Sequence, residues 1–161
     1  GLLSGPVLVT IGSRSGFVST GVMNLTSVAP GLFSANGTGQ GLAAAVALRI
    51  RNGVQTFEPV TQFDPASGQI VAVPIDLGPP TDQVVLLLFA TGIRFRSQLS
   101  AVSCTIGGQP TSLLYAGPQN EFVGLDQINV LLPRALLNRG LANVVVTADG
   151  RTANTVTVNI R

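Results

Sequence analysis

Glycine and proline recur along the whole chain, and only short runs of Val, Ile, Leu and Thr lie between them. Such runs, bounded at regular intervals by turn formers, predict an all-β sandwich or barrel rather than helices. The strand candidates are Val7–Ile11, Gly21–Thr26, Leu42–Ile50, Gln69–Ile75, Gln83–Thr91, Ala101–Ile106, Thr111–Tyr115, Asp126–Leu132, Asn143–Ala148 and Thr155–Ile160. Asn36-Gly37, Asn52-Gly53, Ser67-Gly68, Gly78-Pro79-Pro80, Gly107-Gly108, Ala116-Gly117-Pro118 and Asp149-Gly150 separate them. Asp149-Gly150, set between two Val/Thr runs, is a strong hairpin signal because both residues accept positive φ. A single helical turn is expected at Arg134–Asn138, opened by Pro133 and followed by Gly140.

Several strands do not alternate. Val84-Val85-Leu86-Leu87-Leu88-Phe89-Ala90 is apolar at every position, and Val144-Val145-Val146 and Val130-Leu131-Leu132 repeat the feature. A sandwich strand ordinarily hides one face and wets the other. The outer face of at least one sheet is therefore expected to be covered, by this chain or by another.

The residue inventory removes whole classes of chemistry. Only 10% of the 161 residues are charged, against roughly 25% in ordinary soluble domains. Histidine is absent, and all nine basic residues are arginines. His-centred triads, Cys/His zinc sites and lysine Schiff bases are excluded. The seven acids are Glu58, Asp64, Asp76, Asp82, Glu121, Asp126 and Asp149, each isolated in sequence. They read as solvated turn acids, so no enzyme, cofactor or metal is expected. The net charge of +2 is scattered, and with one Tyr and no Trp the chain lacks the footprint of a nucleic-acid binder. No apolar run approaches the ~18 residues of a membrane span. The glycine-rich Asn36–Gly41 stretch has no lysine after it, so phosphate binding is not expected.

Individual residues carry narrower expectations. Cys104 shares strand parity with Val102 and Ile106 and reads as a buried, reduced thiol. Arg49/Arg51 and Arg94/Arg96 read as solubilising pairs projecting from strands, in preference to contacts with acids across an interface. Tyr115 and Phe122 are expected to close the core beside the Ala116–Asn120 loop. Gln127 and Asn129 are expected to share a strand face and bond neighbouring backbone. Asn24-Leu25-Thr26 and Asn36-Gly37-Thr38 match the glycan-acceptor pattern. Gly1 reads as a mature terminus left by removal of a signal.

A weak internal repeat joins the two ends of the chain. Val7-Leu8-Val9-Thr10 matches Val144-Val145-Val146-Thr147, and Val22-Met23-Asn24-Leu25 matches Thr157-Val158-Asn159-Ile160. Arg14 and Arg151 follow the corresponding turns. Residues 1–27 thus look like the last hairpin of a sandwich whose other strands are missing. Such a hairpin is marginal alone in water and must dock.

From Val28 onward the chain resembles the Solibacter-type uncharacterised C-terminal domain family of secreted acidobacterial proteins. The resemblance rests on Val28-Ala29-Pro30-Gly31-Leu32-Phe33-Ser34-Ala35-Asn36-Gly37-Thr38-Gly39-Gln40-Gly41 and Leu88-Phe89-Ala90-Thr91-Gly92. Thr105-Ile106-Gly107-Gly108-Gln109-Pro110, Leu114-Tyr115-Ala116-Gly117-Pro118, Phe122–Val130 and Asn154–Val158 complete it. It implies an immunoglobulin-like sandwich over residues 28–161, on an exported or cell-surface protein, and it carries no catalytic residues.

The expectation is a structural subunit of an extracellular assembly, a filament of identical copies joined by strand donation. Val7, Val9, Ile11, Val22 and Leu25 are the candidate interface residues. Docking of the hairpin within its own domain satisfies the same pattern. The alternative function is a monomeric cell-surface binding module with ligand loops at Asn36–Gly41 or Ala116–Asn120.

Overall fold

A computed structural model describes residues 4–161; Gly1–Leu3, the start of the expected donor segment, lie outside the described residues. The architecture is all-β, with several antiparallel sheets and no α-helix among the described residues. The first strands, β1 (Gly5–Gly12) and β2 (Val18–Leu25), form a sheet of two by themselves. There follow β3 (Gly31–Leu32), β4 (Ala45–Arg51), β5 (Val54–Pro59), β6 (Thr61–Asp64), β7 (Gln69–Ala72), β8 (Gln83–Thr91) and β9 (Val102–Ile106). The chain ends with β10 (Gln109–Pro110), β11 (Ser112–Pro118), β12 (Asp126–Leu131), β13 (Gly140–Ala148), β14 (Arg151–Thr152) and β15 (Val156–Ile160).

Two sheets share the core. One runs β11-β12-β8-β4-β5, with β3 against the end of β8; the other runs β10-β9-β13, with β14 and β15 along the far side of β13. Leu86, Leu88, Ile128 and Val130 from the first sheet meet Ile106, Val144, Val146, Val156 and Ile160 from the second in one buried cluster. The alternation of β12 is clean: Asp126, Ile128 and Val130 point inward, and Gln127, Asn129 and Leu131 outward. In β8 it is not, because Val85 is buried while Leu87 and Phe89 are half-buried on the outer face. There they share registers with Leu48 and Val46 of β4 and with Leu131, Asn129 and Gln127 of β12. In-sheet neighbours partly cover this apolar face.

Turn chemistry explains the hairpins. Asp149 (φ 46°) and Gly150 (φ 75°) link β13 to β14, and Asn52 (φ 51°) and Gly53 (φ 78°) link β4 to β5. Two positive φ angles match the right-handed strand twist. The strand expected at Leu42–Ile50 begins at Ala45, because Leu42 pairs in parallel with Thr157 of the other sheet. Likewise Gln69–Ile75 stops at Ala72, and Ile75 bridges Ile160. Both segments cross between sheets, and alternation alone does not mark a crossing. The strands β5 and β6 had no sequence signal, since their side chains are mostly exposed and mixed. The expected helical turn is a 3-10 turn over Arg134–Leu136. A second, unexpected one at Leu99–Ala101 delays the expected Ala101 strand start to Val102. The turn expected at Ala116-Gly117-Pro118 is instead the end of β11, held extended by its pairing with Asp126–Ile128.

Glycine is needed at one core-edge position. Gly92 has φ +73°, and a Cβ there would collide with the Ala29 carbonyl. Ala29 N–H donates to the Gly92 carbonyl at 3.0 Å, which anchors the chain as it enters the sandwich, next to Val28, 2% exposed.

Leu86 is fully buried at the centre of β8. Leu86→Ala is expected to cost about 2–5 kcal/mol through lost burial and the cavity left behind, read as a lower urea midpoint with an unchanged slope. Cys104 is buried, and desolvation pushes its thiol up to about 11. Native protein at neutral pH is therefore expected to resist a thiol reagent that labels the urea-unfolded chain promptly; rapid native labelling would contradict the strand parity.

Candidate functional site

Three places combine exposure with specific chemistry: the free hairpin, the side of the sandwich along β5, and the end carrying the Asn36–Gly41 loop. In the hairpin, the register pairs Val7 with Met23, Leu8 with Val22, Val9 with Gly21 and Ile11 with Ser19. Val7, Val9, Ile11, Met23 and Leu25 therefore occupy one face. Of the expected interface residues, Val22 stands apart: it lies on the opposite face, beside Leu8. Both faces carry exposed apolar side chains, with Leu8 70%, Ile11 68% and Val22 73% exposed. Val7, Val9 and Leu25 are half-buried, and Thr10, Thr20 and Asn24 share the Leu8 face. A shallow notch over Gly21 is walled by Val9, Ile11 and Met23. Among the described residues, no hydrogen bond joins Ser4–Leu25 to the rest of the chain.

Along β5 the inner face of β4 carries an arginine where a core residue is expected. Arg49 is 8% exposed. Its Nε donates to Glu58 Oε1 at 2.6 Å and its Nη2 to Glu58 Oε2 at 2.9 Å, a two-pronged fork across the β4–β5 pair. Its Nη1 donates to Asp82 Oδ2 at 3.0 Å and its Nη2 to the Asp76 carbonyl at 2.5 Å. Arg51 adds Nη2 to Asp82 Oδ2 at 2.6 Å. Hydrogen bonding to Glu58 leads in raising the Arg49 pKa, against desolvation. The Arg51 guanidinium, then Arg49, holds the Asp82 carboxyl below the usual carboxylate range. Gly78 (φ +62°) is required here, since a Cβ would lie 2.5 Å from Asp82 Oδ2 and 2.7 Å from Arg49 Nη1. The Arg49/Arg51 pair is thus no solubilising edge charge. Sequence separation hid its partners: Asp82 is 33 residues from Arg49.

The same correction applies at Asp126, which is fully buried rather than a solvated turn acid. It accepts from the Ile93 N–H at 2.7 Å, the Arg94 N–H at 3.1 Å and Arg94 Nε at 2.8 Å. Arg94 and Arg96 lie in the turn after β8 rather than on a strand. Asp149 accepts from Ser97 and Asp64 from the Ala66–Ser67 turn, so these two acids hold loops. Phe122 does not close the core; it is 66% exposed, while the Tyr115 hydroxyl donates to the Pro118 carbonyl. Gln127 Nε2 donates to Asn129 Oδ1 at 2.8 Å, so the two amides satisfy each other rather than backbone.

A cleft of about 720 Å³ opens beside β5, between Val54, Thr56 and Glu58 on one wall and Val73–Asp76 on the other. Its charges are already paired, with Arg161 Nη2 donating to Asp76 Oδ2 at 3.2 Å. A second groove of about 500 Å³ lies between Gly31–Ser34 and Gly37–Gln40. Asn36 Oδ1 organises that loop by accepting from Ser34 Oγ, Thr38 N–H and Thr38 Oγ1. Asn154 ties it down, its Nδ2 donating to the Leu32 and Gly39 carbonyls. Neither opening brings together a nucleophile and a base. Among the described residues no three metal-ligating side chains converge, and no helix is long and apolar enough to cross a membrane.

No family model, characterised protein or solved structure matches this chain.

The paired carboxylate of Asp82 makes the fold acid-sensitive. A depressed folded-state pKa contributes stability that is complete above the ordinary carboxylate value near ~4 and disappears as pH falls through the depressed value. Thermal midpoints are expected to hold from pH 7 to pH 5 and fall below about 4. Asp82→Asn is expected to lower the midpoint at pH 7, leaving two arginines under-partnered, and to make the acid decline shallower. An unchanged acid profile in this variant would remove Asp82 as a source of the sensitivity.

Proposed function

We propose that this protein is a non-catalytic structural subunit of an extracellular or cell-surface assembly, a homopolymer joined by strand donation. The observation that supports the reading is the β1–β2 hairpin, paired only with itself and carrying exposed apolar side chains on both faces. A two-stranded hairpin is marginal in water. Exposed unpaired strand edges template pairing with another chain. A segment with these properties is stable only when docked, and added strands supply main-chain hydrogen bonds together with side-chain burial. Donor and acceptor surfaces differ, so the contact is head-to-tail and propagates.

The low charge and the resemblance to a secreted sandwich family, with its immunoglobulin-like fold, support an exported location. Asn36 stands in an exposed glycan-acceptor sequence away from the hairpin, consistent with a carbohydrate coat on such a surface. A second reading, a monomeric binding module, has two openings in its favour: the groove between Gly31–Ser34 and Gly37–Gln40, and a smaller one lined by Pro118–Asn120, Gln127 and Asn129.

Size-exclusion chromatography and negative-stain microscopy of the purified chain test the proposal. The full chain is expected to elute as large species and appear as filaments. A chain lacking residues 1–26 is expected to be a monomer with an intact β spectrum. Polymers that persist after the deletion, or a full chain that stays monomeric at high concentration, would contradict strand donation by this segment.

A further inference from the structure

Resting on the strand-donation reading, we propose that the free edge of β5, Val54–Pro59, is the acceptor that takes the β1–β2 hairpin of a second copy. The inference follows from the state of the longer edges of the two core sheets among the described residues; β14 is a strand of two residues, and the β6–β7 hairpin belongs to neither sheet. In the second sheet the outer side of β15 is occupied. The Ala43 N–H donates to the Thr157 carbonyl, the Thr157 N–H to Gly41, and the Ile75 N–H to Asn159. The outer side of β9 is occupied by β10, and then by the Thr111 N–H on the Cys104 carbonyl. In the first sheet β11 is interrupted by a register shift between Leu113 and Tyr115 and ends in Pro118. A bulge of this kind blunts an edge, whereas the proline that also ends β5 leaves its register with β4 unbroken. The remaining edge, β5, pairs with β4 in unbroken register from Val46↔Pro59 to Arg51↔Val54 and has no partner on its other side.

The surroundings of β5 suit a strand buried on both faces. Thr56 pairs with Arg49 and Phe57 with Leu48, so Val54, Thr56 and Glu58 border the cleft, which Pro59 also lines, while Gln55 and Phe57 face outward. A strand laid beside β5 sends alternate side chains into the mouth of the cleft, toward Val73 and Pro74, and the others beside Phe57, which is 65% exposed. An ordinary surface hairpin, with one polar face, would leave one of these sides badly matched. The β1–β2 hairpin carries Val7, Val9 and Ile11 on one face and Leu8, Val18 and Val22 on the other. Its one charge among Ser4–Leu25 is Arg14, in the turn, and Glu58 is already paired with Arg49. Docking therefore buries no uncompensated charge, the term that most often defeats such contacts.

The occupant comes from a second copy because the tether is short. Only Thr26 and Ser27 separate β2 from buried Val28, beside Gly92 just past the end of β8. The three residue steps from Leu25 to Val28 span at most ~10 Å. Val28 leads into β3 on the β4 side of β8, so a strand added beyond β5 stands two spacings, ~10 Å, to the side. The Pro59 end of β5 is level with Leu87, ~16 Å along the strand from Gly92, and together these distances, ~19 Å, exceed the tether. The β6–β7 hairpin also continues from the Pro59 end of β5, with the Val73 N–H on the Val60 carbonyl, and stands in the return path.

The test uses the full chain. Phe57→Glu alters an exposed side chain and leaves the sandwich core untouched; it is expected to raise the concentration at which polymers appear by about tenfold or more, with an unchanged β spectrum. Separately, copies bearing Gln55→Cys are mixed with copies bearing Thr10→Cys or Thr20→Cys and oxidised. A disulfide is expected between Gln55→Cys and one of the hairpin variants in assembled protein, and not with Leu114→Cys substituted for Gln55→Cys as an edge control on β11. Polymers that form normally with Phe57→Glu, or hairpin cross-links to Leu114→Cys instead, would overturn the β5 assignment while leaving strand donation standing. If Phe57→Glu disturbs folding, the cross-linking pattern alone decides. A full chain that forms no polymer overturns both.

Discussion

Arg49 projects from the inner face of β4 into a position that the opposing sheet would otherwise fill with an aliphatic side chain. Its guanidinium has two carboxylates and a carbonyl around it, so nearly every donor is satisfied. The consequence is mechanical. The fork on Glu58 holds β5 against β4, and the Asp82 and Asp76 contacts hold the crossing segment between the sheets. Arg134 Nη1 extends the clamp by donating to the Leu77 and Gly78 carbonyls. A buried ion pair of this kind adds little net stability over a well-packed apolar replacement, and breaking one partner is costly. It determines where the sandwich stops on this side.

That stopping point explains why the molecule has an open flank. Aliphatic packing across β5 would close the two sheets onto each other. The clamp instead leaves β5 at the rim with a cleft beside it and Phe57 outside. The other long edges of the two core sheets are occupied by crossing segments or short strands, or interrupted by a register shift. The chain therefore carries an incomplete sheet at one place and an unsupported hairpin at another. Both present exposed apolar side chains, Phe57 on one and Leu8, Ile11 and Val22 on the other, and both have unused backbone hydrogen-bonding capacity. In a chain so poor in charge, surfaces of this sort are not protected by repulsion, which fits a protein that meets copies of itself.

Much of the fold was legible because it follows local rules. Gln83–Thr91 reads as a strand from composition alone, and β8 has those bounds. Asp149-Gly150 and Asn52-Gly53 announce their turns through positive φ. Cys104 is buried as parity with Val102 and Ile106 requires. The failures share a cause. Val54–Pro59 is a strand because β4 pairs with it, not because of its own pattern, and Leu42 leaves the alternation because it has moved to the other sheet. Asp82 and Asp126 looked like turn acids because the groups that neutralise them lie more than thirty residues away.

The sequence by itself determined the β class, the main turns, the scarcity of titrating chemistry and an N-terminal segment patterned like a strand pair, since each depends on neighbours a few residues apart. Only the tertiary structure decided which arginines are buried, that Val22 faces away from Val7, Val9 and Ile11, and which sheet edge stays open. Those outcomes depend on register and on which sheet a segment joins. A one-residue change in register reverses every side chain, and a crossing between sheets leaves no periodic mark in the sequence.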